Sequence, residues 1–180
     1  MSVAIEPLLA RLADAERRLA EHADAPLPSG LADPDPGAEE RWEAGQVWAH
    51  LAEFPAYWLE QAQRVVALPT HEPVPFGRVK TDAGRIEAVE RDRHTDPAAL
   101  LERVRSSLAE VSNAARSLPP EAWTRRGAHP KRGEMTVEQI IERFIVSHLE
   151  EHADQLDSLR SIGSEAPSPT VPARPPDSTA

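Results

Sequence analysis

The sequence predicts an all-α fold, a four-helix bundle with a long connection between its second and third helices. Three observations predict it. Apolar residues recur at three- and four-residue spacing in four separate stretches, the period of one helix face. No stretch reads as a credible strand. Hydrophobic residues are 40% of the 180 and aromatics only 4%, so the core must be mostly Leu, Ile, Val and Ala. A chain of this length can close one sizeable core.

The first helix is expected from Val3 to Glu21, with Ile5, Leu8, Leu9, Leu12, Ala15 and Leu19 on one face. The prolines and glycines of Ala23 to Gly37 then read as a linker. A second helix lies within Ala38 to Leu68, and its stripe is Val47, His50, Leu51, Phe54, Trp58, Ala62 and Val65. Pro55 removes one backbone donor and predicts a kink, yet the apolar phase carries through it as one helix. From Pro69 to Arg93 the signal is weak: "PTHEPVPFGR" excludes helix, and the polar run after it has only scattered apolar residues. Such a connection marks a crossover or a loop bordering a site.

The third helix starts cleanly, with Thr95 or Asp96 as cap and Pro97 in the first turn. Leu100, Leu101, Val104, Leu108, Val111 and Ala115 form its stripe, and it ends before Pro119-Pro120. A short segment around Glu121 to Trp123 leads into a basic loop, "RRGAHPKRGE". Thr136 and Gln139 then make a capping box, with Met135 placed to staple against Ile140. The fourth stripe is Ile140, Ile141, Phe144, Ile145, His148, His152, Leu156 and Leu159. Residues 161–180 are rich in Pro and Ser and are expected to be a disordered tail, leaving residues 1–160 as the domain.

Charge and composition narrow the function. A net charge of −10 argues against a nucleic-acid backbone as partner. There are no cysteines, so the chain has neither disulfides nor a thiolate nucleophile, and any metal must be held by imidazole and carboxylate. Charged residues interrupt residues 1–19, unlike a secretory signal, and no segment approaches the roughly 20 apolar residues of a membrane span. A cytoplasmic address is expected, with no membrane partner.

Three of the seven histidines differ from the rest. His148 and His152 are four apart on one helix, about 6 Å along its axis, close enough for two imidazoles to reach one ion. Both fall on the buried stripe, and so does His50 on the second helix. A buried imidazole without a partner costs on the order of 1–3 kcal/mol. One divalent ion would satisfy all three; separate hydrogen bonds to neighbouring helices would do so as well. His22 ends the first helix, where the dipole favours a cation. His71, His94 and His129 are expected to be solvated in loops, although His129 is placed to border a pocket.

The run "WEAGQVWAHLAEFPAYWLEQ", followed by "HPKRGEMTVEQIIERFIVSHLEEHADQL", resembles the DinB-like superfamily. That group includes thiol-dependent S-transferases and the amino-terminal domain of mycothiol-dependent maleylpyruvate isomerase. The shared pattern is a histidine in an "AHL" context on the second helix and a late HxxxH on the fourth, here His50, His148 and His152. The resemblance covers residues 1 to 160. It implies a four-helix bundle in which that triad holds zinc or nickel, often in a homodimer.

A site with three histidines and an open position can lower the pKa of a thiol or a water. The leading expectation is therefore a metal-dependent transferase that adds a low-molecular-weight thiol to a small electrophile. A metal-dependent hydrolase is an alternative. So is a non-catalytic bundle, stabilised by metal or used for dimerisation. Glu53, Glu151 and Asp154 neighbour the ligands, as solvated charges or as orienting or basic groups. Glu151, between the two fourth-helix ligands, is the candidate catalytic residue. Arg125, Arg126, Lys131 and Arg132 either balance an acidic protein or recognise a carboxylate.

Overall fold

The computed structural model describes residues 5–34, 40–68 and 71–164. Helix α1 spans Ile5–Ala23, α2 Ala44–Ala67 and α4 Pro97–Ser117. The last helical arm is continuous but not uniform. Helix α5, Val137–Ile141, passes through a π-helical turn, Glu142–Val146, into α6, Ser147–Ser164. These four arms form the bundle: α2 packs on α4, α5 and α6, and α1 packs on α4 and α6. The tail expected from residue 161 lies, from residue 165 onward, outside the described residues.

The periodicity located the core. Every residue of the stripes on α2 and α4 is buried, and on the last arm only His148 is partly open. Burying a Leu, Ile or Val side chain stabilises by about 1.5–3 kcal/mol, which fixes the face each helix turns inward. Local chemistry sets the starts. Asp96 accepts from the Ala98 amide at 3.0 Å with Pro97 in the first turn, and Thr136 and Gln139 close the expected capping box. Helix α2 continues through the buried Pro55 as one helix.

The connections hold more structure than the sequence suggested. Among the described residues there are three short strands where none was expected. Val74–Pro75 (β1) pairs in parallel with Arg126–His129 (β2), and β2 pairs antiparallel with Gly133–Thr136 (β3). Strands of two to four residues are too short to display a period of two. The weak segment also contains a helix, α3, Ala83–Asp92, capped by Asp82, which accepts from the Arg85 amide at 3.0 Å. Only Ala88 and Val89 give α3 a buried apolar face, so its periodicity is faint. Tertiary packing against α2 holds it there: a side chain on Gly45 of α2 would collide with the Arg93 carbonyl just beyond α3.

A charged seam joins α1 to the last arm. Arg11 meets Glu142 at 2.7 Å and Glu150 at 2.6 Å, and Arg18 meets Asp154 at 2.6 Å and also Asp157. His22 is buried rather than only capping α1, and its Nε2 lies 2.8 Å from Asp157.

Candidate metal centre

His50 from α2 and His148 and His152 from α6 converge inside the bundle. Their ligand-capable nitrogens all lie within 4.8 Å of one another. His148 Nε2 is 3.1 Å from His50 Nε2 and 3.1 Å from His152 Nε2. His152 is fully buried and His50 is 4% exposed, while His148 keeps 22% of its side chain open. Phe54 packs against both His148 and His50, its ring centroid 4.7 Å and 5.2 Å from theirs. Trp42 lies parallel to the His152 ring at 6.2 Å.

What stands behind each ring decides what its inner nitrogen can do. The Gln155 amide oxygen accepts from His152 Nδ1 at 2.7 Å, and the Gln155 amide nitrogen donates to the Asp33 carbonyl at 3.0 Å, which fixes the orientation of the amide. His148 Nδ1 faces Glu151 at 3.4 Å and His50 Nδ1 faces Glu53 at 3.4 Å. Neither carboxylate can donate, so the proton of each imidazole belongs on Nδ1. Three Nε2 lone pairs then face a common point with no hydrogen between them. His50 Nδ1 is also buried without a formed hydrogen bond.

Lone pairs at that separation repel unless a cation lies among them. Nitrogens bound to one zinc at 2.0–2.1 Å in tetrahedral array are about 3.3 Å apart, close to the two 3.1 Å separations made by His148. Burial, ahead of the neighbouring His152 and His148 and of the Arg85 and Arg78 charges, pushes His50 well below the ordinary imidazole value, so it stays neutral as a ligand must. The donor set and its surroundings fit a divalent ion.

The carboxylates are held in turn. Glu53 binds Arg78 at 2.5 Å, with only 9% of the Arg78 side chain exposed. Glu151 binds Arg143 at 2.5 Å. The bond to His148, followed by that to Arg143, pulls Glu151 down to about 2. Asp154, by contrast, faces solvent beside Arg18 and takes no part.

A cavity of about 640 Å³ reaches His50 and His148 from outside. Trp58 and Phe144 form its apolar wall, stacked at 4.0 Å with 10° between their planes. Phe144 and Arg143 both lie on the π turn, and both line the cavity. The lining also includes Arg78, Lys80, Thr81 and Arg85, then His129, Lys131 and Arg132. The expectation of a solvated His129 does not hold: the residue is 7% exposed. Its ring rests against Phe144 and Trp58, and Gly77 makes room for it. A Cβ on Gly77, which has φ +82°, would come within 2.6 Å of His129 Cδ2. Arg125 and Arg126 point elsewhere, to the Leu68 carbonyl and to Glu134.

The structure brings the three expected histidines together with Glu53 and Glu151 beside them, and of the four expected cations it places Lys131 and Arg132 at the cavity. Sequence reasoning did not single out Trp42, Arg78, Arg85, Arg143 or Gln155. Gln155 had a detectable signal, three residues after His152 on the same helix; the arginines had none, because Arg78 lies in an irregular connection and Arg85 and Arg143, on α3 and the π turn, are single charges among the others of those segments.

The fold and site define a helical bundle with three inward histidines whose donor set could hold a metal ion. Residues 4–156 match the family model of the DinB superfamily, and the chain belongs to that superfamily. Solved structures agree on the fold. YfiT from Bacillus subtilis, described as a probable metal-dependent hydrolase with an unusual four-helix bundle topology, superposes with a TM-score of 0.66 at 17% identity over 88% of this chain and 87% of that one. A protein from Streptococcus pneumoniae gives 0.59 at 16% identity, covering 88% and 91%. The mycothiol-dependent maleylpyruvate isomerase gives 0.58 at 12% identity, covering 91% of this chain but 62% of its own length. Comparison with curated proteins gave no match. No helix among the described residues is long and apolar enough to cross a membrane.

Proposed function

We propose that this protein is a metal-dependent transferase that joins a low-molecular-weight thiol to a small electrophile. The observation that carries the metal site is the set of three Nε2 atoms facing one another, with each Nδ1 turned to an acceptor. His50, His148 and His152 would hold the ion, zinc or nickel by the chemistry of the donor set. A bound ion of this kind acts as a Lewis acid and lowers the pKa of a thiol or a water.

The chain's own residues do the rest. Gln155, Glu53 and Glu151 hold the imidazole rings. Of the roles open to Glu151, orientation through His148 has the better support, because a carboxylate with a pKa near 2 is a weak base at neutral pH. Trp58 and Phe144 supply a wall that excludes water on one side of the cavity. The chain has no cysteine, so the thiol must arrive as a cosubstrate, as in the mycothiol-dependent structural relative. That cosubstrate suits a reducing cytoplasm.

Hydrolysis is the second reading, favoured by the description of YfiT. The same site would then activate water. The test is turnover by untagged protein loaded with zinc or nickel, with a bimane electrophile in the presence and absence of small thiols. Metal-dependent loss of thiol, absent in His148→Ala, is the expected result. Electrophile consumed equally without thiol would mean hydrolysis. A metal that raises Tm but supports neither reaction would mean a structural ion.

A further inference from the structure

The chain carries a net charge of −10, yet the cavity beside the triad reverses that sign. Its lining holds Arg78, Lys80, Arg85, Lys131, Arg132 and Arg143 against a single carboxylate, Glu151. Several of these cations are already committed. Arg78 holds Glu53 and Arg143 holds Glu151. Arg85 donates to the Lys80 carbonyl at 3.0 Å and lies 4.8 Å from the Trp42 ring. Lys131 and Arg132 differ, because neither forms an ion pair with a described residue.

Unpaired surface cations are common, but these two sit on a turn that is fixed from beneath. The turn between β2 and β3 folds over the buried His129, whose Nδ1 accepts from the Lys131 and Arg132 amides at 3.2 Å each. That use of Nδ1 puts the proton on Nε2, which donates to the Arg78 carbonyl at 3.2 Å. One imidazole therefore ties the hairpin turn to the segment that carries Arg78. Arg132 Cζ lies 5.6 Å from the Phe144 ring centroid, which places the guanidinium at the edge of the Trp58–Phe144 wall. A rigid cationic turn above a flat apolar wall is a complementary surface for an anionic headgroup on a ring-sized apolar body.

We propose that Lys131 and Arg132 form an oxyanion subsite, which selects a small acid with an apolar body and points its uncharged end toward the histidines. This rests on the enzyme reading given above and adds the substrate class to it. A fixed cation pair gives a carboxylate or phosphoryl group a bonding partner that a neutral isostere lacks. Loss of such a charge-assisted contact weakens binding on the order of tenfold or more. His129 is the positioning residue for the pair.

The test is a fluorine NMR titration of untagged full-length protein with 4-fluorobenzoate, 4-fluorophenylphosphonate and the neutral 4-fluorobenzamide. It is run metal-loaded and after chelation, on wild type, Lys131→Ala/Arg132→Ala and Arg126→Ala. Arg126 is the control, being a hairpin cation paired with Glu134 outside the cavity. The expected result is that at least one acid binds about tenfold or more tightly than the amide. That preference survives chelation, vanishes in the double variant at unchanged Tm, and persists in Arg126→Ala. The tighter of the two acids identifies the oxyanion. Equal binding of acid and amide, no binding of any probe, or acid binding untouched by the double variant would overturn the proposal. Acid binding lost on chelation but intact in the double variant would mean that the triad's ion takes the anion; the subsite would fail while the enzyme reading stood. Selective binding at the hairpin of a protein that takes up no metal would have the opposite meaning.

Discussion

The two walls of the cavity are built on different physics. The histidine wall is made by helices: two of its rings are buried and the third, His148, is partly open, their outer nitrogens face Glu53, Glu151 and Gln155, and apolar packing from Phe54 and Trp42 holds them. The cationic wall is made by turns, with exposed side chains on a hairpin and geometry that depends on one buried imidazole, His129. The first is costly to disturb because its polar atoms are desolvated and have no alternative partners. The second can lose a charge cheaply, since water replaces the lost contact. A site of this type can keep its reactive centre fixed while its recognition surface changes by substitution.

The comparison predicts a ranking of effects. Phe54→Ala removes a fully buried ring that touches the triad, and should cost about 3–5 kcal/mol in a denaturant titration. A cost near zero would show that the histidine wall is not held by packing. Glu151→Gln should keep the fold but weaken metal affinity by about 10–100-fold, measured by competition with a chromophoric chelator. Unchanged affinity would remove Glu151 from the bracing of His148.

His129→Gln should give a smaller and pH-dependent effect, about 1–3 kcal/mol at pH 7.5. Burial lowers the His129 pKa from its ordinary 6.5, so below that pH the unfolded chain binds a proton that the folded chain resists. Stability from His129 is therefore complete above pH 6.5 and is lost as pH falls through the lower folded value. The Tm gap between wild type and variant should narrow between pH 7 and pH 5. A gap that widens on acidification would contradict the neutral Nδ1 acceptor.

Legibility followed the same division. The triad could be read because His50, His148 and His152 occupy positions on helical stripes whose other members are all apolar, and a 3.6-residue period survives in a single sequence. Helix α3 could not be read, since Ala88 and Val89 alone are too few to mark a period. The sheet escaped because its strands are only two to four residues long, and because β1 pairs with a partner distant in sequence, Val74 against Gly127. His129 looked like a loop residue because nothing local shows that Gly77, 52 positions earlier, leaves space for its ring. Arg78 and Arg143 gained their roles only when the fold brought them to Glu53 and Glu151.

The most direct test of the central claim is elemental analysis of untagged protein beside His148→Ala, each as purified and after equilibration with zinc or nickel and desalting. The account predicts about one ion per chain in wild type and none retained in the variant. Wild type that takes up no ion from either metal, while folded by circular dichroism, would contradict it. The three imidazoles would then have to share protons among themselves.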